Sequence, residues 1–237
     1  MEYDGILFDL DGTLWDATAQ IAQAWNEVIA GAREDLLPYG KGEPLRPEDS
    51  RALCGKTMDE ITDLLFGDFP GKEGLADRCY SHENDYLRLH PGVIYPGVGE
   101  ALRTLSAHLP LAVVSNCQAG YIEVFLEASG FGAYFAGHLG FGDTGLPKWE
   151  NIRLMCERLG LRHPIYVGDT QGDADAAARV GIPFAHARYG FGTVRRADRV
   201  IASPAELPSL CAAAAGGTPE TPLPGGRKGG IWQKSTL

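Results

Sequence analysis

Two apolar patterns alternate along the chain. The first is the short unbroken run: Ile6-Leu7-Phe8, Leu111-Ala112-Val113-Val114, Pro164-Ile165-Tyr166-Val167 and Ile182–Ala185, with shorter candidates at Phe135–Leu139 and Arg199–Ile201. Runs of this length, bounded by turn residues and apolar on consecutive positions, predict strands buried on both faces. The second is the three-to-four spacing of helices. It places Ile21, Ala24, Trp25, Val28 and Ile29 on one face after an N-cap at Asp16, and Ile152, Leu154, Met155 and Leu159 on a helix opened by Lys148. Further helices are predicted near Val98–His108, Tyr121–Ala128 and Ala174–Val180, the last ended by Gly181.

Between Asp16 and about His90 the strand pattern is absent. A Gly- and Pro-rich loop from Pro38 to Pro47 leads to a short helix at Glu48–Leu53, which Gly55-Lys56 break. Thr57-Met58-Asp59-Glu60 reads as a capping box opening a helix with Ile61, Leu64 and Leu65 inward, and a longer helix is predicted over Gly74–Leu89. A second capping box, Ser203-Pro204-Ala205-Glu206, has proline at the favoured first position. Strands alternating with helices predict an α/β fold: a doubly wound parallel sheet, Rossmann-like, covered on both faces. The expected domains are an α/β core from residues 1–16 and 96–215 and a helical cap over 17–95, inserted after the first strand. A Gly- and Pro-rich tail over 216–237 is too poor in apolar residues to offset its ordering entropy.

Composition narrows the partners. The 237 residues are 44% hydrophobic, enough for one sizeable core with a smaller one beside it. Thirty-one acidic against 21 basic residues give a net charge of −10, which repels polyanions and argues against nucleic acid or an anionic membrane. The five cysteines are scattered and form no C-x-x-C pair, as in a cytoplasmic protein with reduced thiols. No signal-peptide pattern precedes the first strand, and no apolar run approaches the length of a membrane span.

The chemistry gathers where apolar runs end. Asp9 and Asp11 close the first run and are followed by Gly12-Thr13; Ser115-Asn116 close the second, and Gly168-Asp169 the third. In a parallel sheet these ends converge on one edge, where the reactive crevice lies. Uncompensated carboxylates this close repel each other and call for a cation, a proton or a shared hydrogen-bond network.

Asp9-Leu10-Asp11-Gly12-Thr13 resembles the first motif of the haloacid dehalogenase superfamily, phosphatase branch. The resemblance implies that Asp9 is a nucleophile that takes a phosphoryl group as an aspartyl phosphate, and that Asp11 is the general acid/base. Val113-Val114-Ser115-Asn116 resembles the second motif, in which the Ser115 hydroxyl and the Asn116 backbone amide bind phosphoryl oxygens. Lys148 resembles the third, a lysine that neutralises charge between nucleophile and phosphoryl group, although Trp149 follows it where many relatives have proline. Gly168-Asp169-Thr170-Gln171-Gly172-Asp173 resembles the fourth, with Asp169 on the metal and Asp173 behind it. The implied cofactor is Mg2+, held by the Asp9 and Asp169 carboxylates and the Asp11 backbone carbonyl, an oxygen-only set of the kind Mg2+ prefers. Asp175 is assigned to the ordinary preference of carboxylates for helix starts. Six histidines form no recognisable ligand pair, so zinc is unsupported.

The helical insertion resembles the alpha-helical cap of the phosphoglycolate phosphatase-like branch, with hinges at Asp16–Ala17 and Tyr95–Gly97. Lys56, in the Gly55-Lys56-Thr57 loop, is the expected cap contact to substrate. Mutase relatives carry a histidine where this chain has Ile21; phosphonatases and dehalogenases lack the Asp11 carboxylate. What remains is Mg2+-dependent hydrolysis of a small phosphorylated metabolite, phosphoglycolate-like or another phosphate monoester. The alternatives are a phosphotransferase or mutase of the same fold, and a non-catalytic regulatory module, whose usual mark would be loss of Asp9, Lys148 or Asp169.

Overall fold

The computed structural model is described for residues 2–211; the expected tail at 216–237 falls outside them. Six parallel strands form one sheet in the order β5-β4-β1-β6-β7-β8. They are β1 (Gly5–Phe8), β4 (Leu111–Ser115), β5 (Gly137–Gly140), β6 (Pro164–Gly168), β7 (Phe184–Ala187) and β8 (Arg199–Ile201). The fold class is the one expected, a parallel sheet with helices on both faces. The period of two along each strand divides the sheet between two cores. Ile6, Phe8, Leu111 and Val113 point into one, with α6 (Val98–Ser106) and α7 (Tyr121–Ser129); Leu7, Ala112, Val114 and Tyr166 point into the other, with α9 (Lys148–Leu159) and α10 (Gln171–Val180). With both faces covered, β1, β4 and β6 are buried throughout, which is why they read as unbroken apolar runs.

Five α-helices lie between Asp16 and Val93: α1 (Thr18–Gly31), α2 (Arg33–Leu36), α3 (Pro47–Leu53), α4 (Met58–Phe66) and α5 (Lys72–Leu89). They enclose a third core built on Trp25, whose ring stacks on Phe66 at 6.3 Å and meets Tyr80 edge-on at 5.1 Å. The chain enters this helical unit through β2 (Trp15–Asp16) and leaves through β3 (Val93–Ile94), which pair antiparallel. A four-residue helix, α8 (Phe141–Thr144), completes the set.

Several local expectations are corrected. Asp16 is not the N-cap of α1; it lies on β2, and its Oδ1 accepts hydrogen bonds from the Thr18 amide and hydroxyl. Leu64 faces solvent instead of the core, at 52% exposure. The segment 37–39 turns as a 3-10 helix, and so does Pro204–Cys211, where Pro208 lacks the amide an α-helix needs. β7 starts two residues later than expected, because Gly181 and Pro183 are used up in the turn out of α10. The Thr57 capping box is present: the Glu60 amide donates to Thr57 Oγ1 and the Thr57 amide to Glu60 Oε2.

Candidate active site

The sheet order places β1 between β4 and β6, where the winding direction reverses. A crevice therefore opens beyond the carboxyl ends of these three strands. Ser115 ends β4, and Asp9 and Asp169 each follow directly on a strand, so the three meet at one edge. All are buried, Asp169 completely.

Lys148, on the first turn of α9, ties the cluster together. Its Nζ lies 2.9 Å from Asp9 Oδ1 and 2.6 Å from Asp173 Oδ1, with all three side chains buried. Burial works against the ammonium, but the two carboxylates outweigh it and hold the Lys148 pKa well above its ordinary value. Asp173 is fully used: its Oδ2 accepts from the amides of Asp169 and Thr170 and from the Thr170 hydroxyl. Asp169 differs. Its Oδ2 takes the Phe191 amide at 2.7 Å, while its Oδ1, also buried, has no partner among the described residues. Burial, with Asp173 and Asp9 nearby, lifts its carboxyl to about 7. Burial likewise raises Asp9, with the Asp173 charge adding and Lys148 and Ser115 opposing.

Carboxylate oxygens of Asp9, Asp169 and Asp173 lie within 4.8 Å of one another. A buried oxygen without a donor, next to two further carboxylates in an oxygen-only set, fits a hard divalent cation such as Mg2+. Asp11 stands outside this trio. It is half-buried on the turn after β1, and its Oδ1 accepts from the Tyr121 hydroxyl at 2.7 Å.

The turn allows close approach only because of two glycines. Gly12 has φ +79°, and a Cβ there would fall 2.3 Å from Asp169 Oδ2. A Cβ at Gly190 would fall 2.3 Å from the Gly12 carbonyl and 2.4 Å from Asp169 Cβ. The segment 189–191 thus closes over Asp169, a part of the site that sequence reading missed; the Gly190-Phe191-Gly192 repeat after a strand was its one trace.

The helical unit roofs the crevice. Asn116 Nδ2 donates to the Gly55 carbonyl at 2.9 Å, and its buried Oδ1 has no partner among the described residues. A Cβ at Gly55 would come within 3.5 Å of Thr170 Oγ1, so the 54–56 loop sits over the strand ends. The cavity beneath is lined by Asp9, Asp11, Ser115 and Asn116 from the sheet side, and by Lys56 and Glu83 among others from the helices. Lys56, from the 54–56 loop, thus lines the same cavity as Asp9 and Asp11. Ser50, Glu83, Gln118 and Tyr121 line the same cavity and were not read as site residues from the sequence, and Trp25, which also lines it, was read only as part of an apolar helix face. Asp175 is exposed and bonded to Gln171, away from the cluster.

A Rossmann-like sheet whose switch point holds buried carboxylates bridged by a lysine, under a helical roof, defines a class of hydrolase. The haloacid dehalogenase-like hydrolase family model matches residues 3–181, and the chain belongs to that family. It falls with the phosphatases of the phosphoglycolate phosphatase-like branch. The phosphoglycolate phosphatase of Shigella dysenteriae serotype 1 (strain Sd197) is 30% identical over 215 residues, covering 79% of this chain and 82% of its own. That of Escherichia coli (strain K12) is 29% identical with the same coverage. Among solved structures, a predicted phosphoglycolate phosphatase from Haemophilus somnus 129PT shares the fold with a TM-score of 0.73 at 22% identity, over 90% of this chain and 99% of that one. A mutant of CbbY from Rhodobacter sphaeroides, in complex with xylulose-1,5-bisphosphate, does so at 0.70 and 20%, over 86% and 96%.

Proposed function

We propose that the chain hydrolyses a small phosphorylated metabolite in a Mg2+-dependent reaction through an aspartyl phosphate on Asp9, with residues 17–95 acting as the cap. The observation that carries this reading is the buried Lys148 bridge between Asp9 and Asp173, beside the unpartnered Asp169 Oδ1. Lys148 holds Asp9 Oδ1 in place, which leaves the other carboxylate oxygen to attack phosphorus. The Ser115 hydroxyl and Asn116 amide hold phosphoryl oxygens as charge develops on them. Asp11, free of the acidic trio and oriented by Tyr121, protonates the leaving oxygen and then takes a proton from the water that hydrolyses the aspartyl phosphate.

Mg2+ would be held by the Asp9 and Asp169 carboxylates and the Asp11 carbonyl, and would supply the positive charge that lets two anions meet. Asp173 positions Lys148 and the Asp169 backbone. The helical roof excludes water from the phosphoryl group until transfer is complete. The apolar Ile21 in the cavity wall disfavours a mutase, which needs a second proton-transfer group there.

The test is turnover of 4-nitrophenyl phosphate with Mg2+, followed by a panel of small phosphate monoesters that includes phosphoglycolate. Asp9→Asn should be inactive yet folded, and acid quenching of the wild type should trap a hydroxylamine-sensitive acyl phosphate. Wild-type turnover by Asp9→Asn would remove Asp9 from the role of nucleophile.

A further inference from the structure

The catalytic cluster leaves one buried charge of the cavity unused. Glu83, on α5, is 4% exposed and lines the cavity. Its Oε1 accepts from Gln118 Nε2 at 2.9 Å and its Oε2 from Trp25 Nε1. An indole N–H and an amide NH2 can only donate, so this pair of partners suits an ionised carboxylate. The donors are themselves held. Gln118 Nε2 also donates to Asn84 Oδ1 at 3.1 Å, Asn84 Nδ2 donates to the Ala119 carbonyl at 2.9 Å, and the Trp25 ring is packed between Phe66 and Tyr80.

Two further features of the cavity point to a ligand. Ser50, 1% exposed, has a hydroxyl with no partner among the described residues, although a buried hydroxyl normally has one. Trp25 and Tyr80 line the same cavity. Among the lining residues the only cation is Lys56, against the carboxylates of Asp9, Asp11 and Glu83. Lys56 follows Gly55, whose carbonyl is bonded to Asn116 at the sheet edge, which sets the Lys56 backbone on the phosphoryl side of the cavity. The charge next to Trp25 is Glu83.

The geometry points to a leaving-group subsite that takes a small uncharged polyol and turns away a carboxylate: Glu83 accepts a substrate hydroxyl, Ser50 bonds another, and Trp25 and Tyr80 cover the C–H surface. A second carboxylate there would be desolvated against a like charge, which is unfavourable twice over. A hydroxyl instead donates to a lone pair that Gln118 and Trp25 leave open. The assignment rests on the phosphatase reading above and narrows its substrate. It separates this chain from the activity that the names of its relatives describe.

The experiment uses the full chain at pH 8 with Mg2+ and matched pairs of esters. Glycerol 3-phosphate is compared with 3-phosphoglycerate, and 2-hydroxyethyl phosphate with phosphoglycolate; each pair differs only in a CH2OH for a carboxylate. Absence of turnover on 4-nitrophenyl phosphate would overturn the phosphatase reading, and this inference with it. Given turnover, the neutral member of each pair should lead in kcat/KM by about ten-fold or more. Equal or better use of the acids by the wild type would overturn the subsite alone. Glu83→Gln should bring each ratio within about three-fold, mainly by lowering the KM of the acids; an unchanged ratio in a folded variant overturns the proposal. Should Glu83→Gln fail to fold, Glu83→Asp, which keeps the charge, should keep the preference, and its loss there counts against it. Ser50→Ala should raise the KM for glycerol 3-phosphate by about three- to ten-fold, the usual worth of one hydrogen bond, and an unaltered KM removes Ser50 from the subsite.

Discussion

Asp11 differs from its neighbours in what holds it. Asp9, Asp169 and Asp173 are fixed by a lysine or by backbone amides, whereas Asp11 takes a phenol, Tyr121, at 2.7 Å. Burial pushes its carboxyl well above the usual range, against the Tyr121 bond and helped by the charges of Asp9, Glu83 and Asp169. A shift in this direction favours the protonated form, which suits a group that must give a proton to a leaving oxygen. Asp11→Asn should therefore cut turnover about 10²–10⁴-fold, with a smaller loss on aryl phosphates, whose leaving group needs no proton. A burst of nitrophenolate close to the enzyme concentration should precede slow turnover, read by stopped-flow absorbance. Loss of Mg2+ binding as severe as in Asp169→Asn would instead make the Asp11 side chain a ligand. The residues of the four motifs could be read from sequence because each stands at a strand end or a helix start, where local pattern reveals position. Glu83 could not: its partners Trp25 and Gln118 are 58 and 35 residues away, and α5 offered no sign that this one of its acidic residues faces inward.

At the scale of elements, the same glutamate joins α5 to α1 and carries a cost. Burial raises Glu83 from its ordinary 4.5 to about 7, with the Gln118 and Trp25 bonds pulling the other way. A carboxyl raised on folding contributes its full stability below the unfolded value, and that contribution is lost as pH climbs through the folded one. The difference is worth roughly 3 kcal/mol between about pH 4 and pH 8. Glu83→Gln leaves one donor without an acceptor at every pH, but it removes only the pH-dependent part of the cost. Its melting temperature relative to wild type should therefore be several degrees more favourable at pH 8 than at pH 5. Parallel melting curves for the two proteins across that range would show that Glu83 ionises as freely in the folded chain as in the unfolded one. Elements with strong periodicity or a reciprocal cap, such as α4 and α9, were legible within a few residues. The pair β2 and β3 was not, because two residues per strand leave no pattern and their partner lies across the whole helical unit. The 3-10 turn at Pro204–Cys211 shows the reverse failure, a good capping signal followed by a proline that forbids the α-helix it announces.

For the molecule as a whole, the cluster at the switch point concentrates negative charge that the described residues offset with one buried ammonium. A cation bound there should stabilise the entire fold. At a concentration about 100 times its dissociation constant, the gain is about 2.7 kcal/mol, or a rise in melting temperature of about 5–10 °C for a chain of this size. Differential scanning fluorimetry with and without Mg2+ should show it, EDTA should reverse it together with activity, and Asp169→Asn should abolish most of it. No shift at 10 mM Mg2+ would leave the unpartnered Asp169 oxygen without the partner assigned to it. Among the described residues no helix is long and apolar enough to cross a membrane, and all five cysteines are free.

The two strand crossings that frame the helical unit run side by side, Trp15 against Ile94 and Asp16 against Val93. Entry and exit are thus a single narrow waist, the geometry in which inserted segments are best tolerated. Everything between Ala17 and Gly92 can in principle be exchanged without re-threading the sheet. A chimaera carrying the matching segment of a relative should keep the chemistry of Asp9 and take on the donor's taste in leaving groups.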